Sequence, residues 1–151
     1  MFLPDIRFCT VKDLDRIMRV EERSFDSPWP RDLVRRDLSG DTAAIYLGAF
    51  GGDIMLGYAA LFPCEGGAEL ASIAVLPEYQ RRGVASQLLL GISEVAVALG
   101  YGRLRLHVKV TSEGARAFYE KYGFTSIMLK PGYYEGGADA LLMESELPLK
   151  I

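Results

Sequence analysis

Apolar residues recur along this chain with two different periods, and the changes of period mark the elements. The stretch "RLRLHVKV" alternates strictly: Leu104, Leu106, Val108 and Val110 fall on one face, and Arg103, Arg105, His107 and Lys109 on the other. That is the period of a half-buried strand. Elsewhere the spacing is helical. Leu14, Ile17, Met18, Glu21 and Phe25 form one stripe, in which Glu21 is a polar visitor. Val84, Leu88, Ile92, Val95 and Leu99 form a second, and Ala115, Phe118, Tyr119 and Tyr122 a third. Thr10 is placed to cap the first of these helices and Thr111 or Ser112 the last, which Gly123 ends. "RDLVRRDLSG" reads as a short helix after "SPWP" and stops at Gly40. Strands are predicted at "IRFC", at "AAIYLGAF" and "IMLGYAALF" joined through Gly51-Gly52-Asp53, at "AELASIAVL", and at "FTSIML" and "ADALLMESEL" around the loop "KPGYYEGG". This order predicts a single α/β domain over residues 1–151, one mixed sheet with helices on both faces.

Composition narrows the function classes. A chain of 151 residues can bury a sizeable core, and half of it is hydrophobic with a quarter charged. The net charge of −3 speaks against a nucleic-acid binder. Charged or polar residues interrupt every apolar run, so no membrane span is expected, and "MFLPDIRFCT" has no signal-peptide pattern. Cys9 and Cys64 match neither a disulfide nor a zinc spacing, which suits a reducing, cytoplasmic compartment. No metal is expected.

The candidate chemistry starts at "QRRGVASQLLLGI", residues 80–92. An apolar strand ends, Gly83 follows, and a helix begins. The first N–H groups of that helix lack partners within it and carry the positive end of its dipole. Phosphate suits such a site, and glycine lets it come close to the backbone.

Three strings together, "IAVLPEYQRRGVASQLL", "LHVKVTSEGARAFYEKYGF" and "YYEGGADALLME", resemble the GNAT acetyltransferases, and among them the ribosomal-protein-alanine and archaeal or eukaryotic Nα-acetyltransferases. The likeness covers nearly the whole chain. Gln80, Gly83 and Ala85 meet the family's acetyl-CoA loop pattern. The resemblance implies an α/β (α+β) fold whose mostly antiparallel sheet contains a central, splayed parallel strand pair. It implies acetyl-CoA as co-substrate, its pyrophosphate held by the backbone of Arg81, Arg82, Gly83, Val84, Ala85 and Ser86. The acetyl and pantetheine end would lie against the backbone of Ile73, Ala74 and Val75. Tyr119 is the family's tyrosine for the leaving thiolate, and His107 stands where the Nα-acetyltransferases often carry a histidine base. Glu69 opens the strand that leads to Val75, at a place that can hold a residue sharing the base role; Glu21 or Glu22 is a weaker third candidate. Ser112 replaces the family's usual asparagine and reaches less far toward CoA, and Gly114 weakens the first turn after it.

The implied acceptor is a protein or peptide N-terminus, a ribosomal protein being one candidate, with Phe25, Trp29, Tyr133 and Tyr134 flanking its path. An α-amine has a pKa near ~7.8 against ~10.4 for lysine, so freeing a lysine at neutral pH costs about 3.5 kcal/mol more. One modest base therefore suits an α-amine. Each residue has an ordinary alternative: His107 as a polar-face strand residue, Glu69 as a carboxylate paired with an arginine of the next strand, the aromatics as packing. Other functions stay open, namely acetylation of a small-molecule amine, non-catalytic sensing of acyl-CoA, or a hydrolase built on Cys64 and His107. A monomer or weak homodimer is expected.

Overall fold

The computed structural model describes residues 3–150. Seven strands, β1 (Asp5–Phe8), β2 (Ile45–Gly51), β3 (Ile54–Cys64), β4 (Gly67–Val75), β5 (Arg103–Lys109), β6 (Thr125–Lys130) and β7 (Ala140–Glu146), form one sheet in the order β1-β2-β3-β4-β5-β7-β6. Four helices interrupt them: α1 (Leu14–Ser24), α2 (Arg31–Leu38), α3 (Val84–Ala98) and α4 (Glu113–Lys121). The sheet is mixed. β4 pairs with β5 in parallel at Ala68↔Leu104 and Glu69↔Arg105, whereas β1/β2, β2/β3, β5/β7 and β6/β7 are antiparallel. Among the described residues no helix is long and apolar enough to cross a membrane.

The chain forms two compact units. One holds the residues up to Pro63 together with Leu70–Ile92, and the other Cys64–Glu69 with the residues from Ser93 onward.

In the first unit the stripe of α1 makes the core. Ile17 and Val20 are wholly buried with Val34 of α2 and Tyr58 of β3. Each such apolar side chain contributes roughly 1.5–3 kcal/mol by leaving water. The stripe is one residue shorter than its spacing suggests. α1 ends at Ser24, and Phe25 turns extended (φ −132°) and lies 41% exposed. Thr10 caps as expected, but through a turn of 3₁₀ helix, Val11–Asp13. Its hydroxyl accepts from Lys12 N, and Asp13 reaches back to Thr10 N at 2.9 Å. That reciprocal pair satisfies donors that a helix start leaves over.

In the second unit β5 keeps the predicted alternation. Leu104, Leu106 and Val108 are buried, while Arg105 and His107 on the other face are half-buried. α4 ends in a reciprocal glycine cap: Gly123 (φ +95°) donates to the Glu120 carbonyl at 3.0 Å, and Phe124 N to that of Tyr119 at 3.2 Å. The Phe124 ring then packs edge-on against Tyr119, with centroids 5.6 Å apart. At the other end Ser112 occupies the cap position but its side chain makes no capping bond. With ψ at 76° its backbone lies outside the extended region that aims a cap hydroxyl at the helix.

Candidate active site

The strand–loop–helix of the first unit is built as the sequence predicts, with one feature added. Gly83 has φ +81°, and a Cβ built on it would meet nothing within 4 Å. Its carbonyl accepts the first helical bond, from Gln87 N at 3.1 Å. The N–H groups of Gly83, Val84, Ala85 and Ser86 therefore precede the first bonded turn. Arg81 also lies in the left-handed region, at φ +63°, uncommon for a residue with a side chain. Such turns of sign along a loop gather successive N–H groups into an anion-binding concavity. Open space at Gly83 and leftover donors beside it fit a pyrophosphate. Gln80 ties the loop down, its Nε2 donating to the Val75 carbonyl at 3.1 Å. The Arg82 guanidinium rests 5.8 Å from the centre of the Tyr79 ring. Upstream, Ala74 and Val75 are buried and Ile73 half-buried; Gly57 of β3 admits them, since a Cβ there would lie 2.5 Å from the Ala74 carbonyl oxygen.

The same unit carries a buried carboxylate. Glu21 is 1% exposed, accepts from the Tyr58 hydroxyl, and accepts from Trp29 N at 3.0 Å. Tyr58 also meets the Ser72 hydroxyl at 3.1 Å and stacks on Tyr46 at 5.9 Å. Burial, and then the neighbouring Glu21 charge, raise the Tyr58 pKa, so the phenol keeps the proton it donates. Trp29 is half-buried, its ring against Phe62 and Tyr46. Glu22 is exposed.

The second unit gathers most of the expected catalytic side chains. His107 Nδ1 stands 3.6 Å from Glu69 Oε2, within the range of charge but too long for a hydrogen bond. The imidazole stacks on Tyr133 with centroids 4.3 Å apart and planes within 9°. Tyr133 meets Tyr134 edge-on at 5.1 Å. Burial lowers the His107 pKa; Lys130 and Arg105 push it the same way and Glu69 opposes them. The ring is therefore neutral near pH 7. Tyr119 is 6% exposed between Phe118 and Phe124, and burial raises its pKa. It too keeps its proton. Glu69 does not pair with an arginine of the adjacent strand. Arg105, its register partner, instead binds Glu144 at 3.0 Å, as Arg103 does at 2.5 Å, because Glu144 on β7 faces both. Burial raises the Cys64 thiol, which leaves it a poor nucleophile for a hydrolase.

Two participants escape the sequence reading. Lys130, the last residue of β6, brings its Nζ to 3.0 Å from His107 Nε2 and 5.5 Å from the Tyr133 ring. Tyr58 holds Glu21 from 37 positions away. Neither carries a local motif: Lys130 reaches His107 across β7, and Tyr58 of β3 meets Glu21 of α1. A cavity of about 350 Å³ lies elsewhere, lined by Arg103, Gly123, Thr125, Glu144, Ser145, Glu146 and Lys150.

The first unit thus presents unpaired backbone donors at a helix start, and the second a cluster of Glu69, His107, Lys130 and Tyr133. Residues 14–124 match the acetyltransferase (GNAT) family, and the chain belongs to it. An uncharacterized protein of Mycobacterium leprae is 38% identical over 146 residues, 91% of this chain, which spans 39% of that longer relative. The N-alpha-acetyltransferase RimI of Mycobacterium tuberculosis is 32% identical over 146 residues, covering 91% of this chain and 89% of its own. The crystal structure of the ribosomal-protein-S18-alanine N-acetyltransferase from Escherichia coli shares the fold, with a TM-score of 0.86 at 24% identity over 99% of this chain and 97% of that one.

Proposed function

We propose that the protein transfers the acetyl group of acetyl-CoA to the α-amino group of a protein or peptide N-terminus in the cytoplasm. The observation that carries this reading is the Glu69–His107 pair with protonated Tyr119 in the same unit of a GNAT chain. The RimI relative is named an N-alpha-acetyltransferase and the Escherichia coli neighbour a ribosomal-protein-S18-alanine N-acetyltransferase, which supports a protein acceptor.

Acetyl-CoA supplies the activated acyl group as a thioester. The backbone from Arg81 to Ser86 holds its pyrophosphate, and that of Ile73, Ala74 and Val75 its acyl end; Ser112 reaches less far toward CoA than the usual asparagine. The amine nitrogen bonds to the carbonyl carbon and the carbon–sulfur bond breaks. The amine proton passes to the Glu69–His107 pair, and the Tyr119 hydroxyl gives its proton to the departing sulfur. Tyr119 is buried against the Phe118 and Phe124 rings, and burial favours the protonated phenol that this step needs. Tyr133 and Tyr134 are the second unit's residues for contact with the peptide, and Phe25 and Trp29 are the first unit's.

The test is acetyl-CoA turnover against short peptides differing in residue one, with polyamines and other free amines as controls. Turnover of peptides only, with Tyr134→Ala raising KM for peptide far more than for acetyl-CoA, is expected. Turnover of free amines alone would assign a small-molecule acetyltransferase, and binding without any turnover an acyl-CoA sensor.

A further inference from the structure

We propose that Lys130 is a positioning residue: its ammonium donates to His107 Nε2 and fixes the imidazole as the Nδ1–H tautomer, with that hydrogen turned toward Glu69. The inference rests on the acetyl-transfer reading and deepens it, since it says which group takes the amine proton.

Donors and acceptors decide the tautomer. A lysine ammonium has three hydrogens to give and no lone pair. At 3.0 Å from Nζ, the Nε2 atom must be the acceptor. A neutral imidazole carries one N–H, so its hydrogen sits on Nδ1. That nitrogen is buried and makes no hydrogen bond among the described residues, and Glu69 Oε2 lies 3.6 Å away. A cation on one side and a carboxylate on the other thus bracket a neutral ring. Tyr133 fixes the plane of the ring by stacking, and draws the Lys130 ammonium toward its own face.

The charged and titratable groups facing His107 are Glu69 from β4, Arg105 from its own strand, Lys130 from β6 and Tyr133 from the loop that follows. The two cations disfavour a charged imidazole, and burial adds to this. With Nε2 occupied and protonation of the ring disfavoured, the amine proton goes to Glu69. His107 then serves as the neutral link between Glu69 and Lys130.

The chain has a single histidine, so nitrogen-15 ring spectroscopy reads His107 without assignment. The measurement uses the intact protein without substrates at pH 7.5, then a titration downward. The wild type should show the Nδ1–H pattern. Lys130→Arg, which still donates, should keep it. Lys130→Met should shift the ring toward the Nε2–H form and raise its titration midpoint. An Nε2–H ring in the wild type would overturn the proposal, and so would a Lys130→Met protein with unchanged tautomer and midpoint. If Lys130→Met does not fold, the wild-type spectrum decides alone. Because no substrate is present, a failure of peptide acetylation and a failure of this assignment are read separately.

Discussion

Two glutamates, Glu21 in the first unit and Glu69 in the second, divide the work of a carboxylate differently. Both stood in the sequence as candidate bases. Glu21 is sealed at 1% exposure, with one oxygen on the Tyr58 hydroxyl and the other on Trp29 N. Each oxygen accepts one bond, and together these tie α1 to β3 and to the segment leading to Trp29. Glu69 has 29% of its side chain exposed and one loose neighbour, His107 at 3.6 Å. A base must be reached by the amine, and the proposed mechanism therefore gives that task to the more exposed carboxylate, Glu69.

The comparison is broken most directly by exchanging its outcomes. Glu69→Gln keeps the shape but cannot take the proton, so kcat should fall about 10²-fold. Its melting temperature should stay within about 2 °C of wild type, as for other partly exposed substitutions. Glu21→Ala should do the reverse in kind. It leaves Trp29 N without its acceptor and the Tyr58 phenol with Ser72 alone, at roughly 2–3 kcal/mol together, which lowers the melting temperature by about 5–10 °C. Calorimetry and steady-state kinetics on both variants decide it. A stable Glu21→Ala with collapsed kcat would make Glu21 the base and end the distinction.

Tyr119→Phe sharpens the working side. The ring and its packing on Phe118 and Phe124 remain. With the donor to the thiolate gone, kcat should drop by about 10²-fold, the low end for general acids because a thiol leaves readily. Near wild-type turnover would return Tyr119 to packing. Gly83→Asp comes next, since it sets a negative side chain at φ +81° beside the unpaired donors. Affinity for acetyl-CoA in titration calorimetry should weaken more than ~tenfold, the counterpart of about 1.4 kcal/mol, and unchanged affinity would remove the loop from the site.

The smallest effect is on acid stability. The folded His107 pKa lies below the ordinary ~6.5. As pH falls, the unfolded chain takes the proton first, so this contribution is fully present above about pH 6.5 and is lost as pH falls through the lowered folded value. His107→Gln should flatten that part of the acid limb in a series of melting curves. An identical slope in the variant would mean that other groups carry it.

Much of this protein follows from residues close together in the chain. The alternation from Arg103 to Lys109, the stripe of α1 and the glycine stop at Gly123 each need only a few neighbours to declare themselves, because period and capping are local physics. The same holds for the loop at Gly83, where a strand end, a glycine and a helix start adjoin. Even local rules reach only so far: Arg81 adopts φ +63° although no side chain favours it, and Ser112 sits at a cap without capping. The rest was decided by tertiary structure. Lys130 meets His107 because β6 and β5 both border β7, and Arg105 turns to Glu144 rather than Glu69 for a similar reason of register. Glu21 became structural only when Tyr58 and Trp29 closed over it. A single chain position encodes its own propensity, but which lone pair is spent and which is free depends on partners that only the packed sheet and helices bring within 3 Å or so of one another.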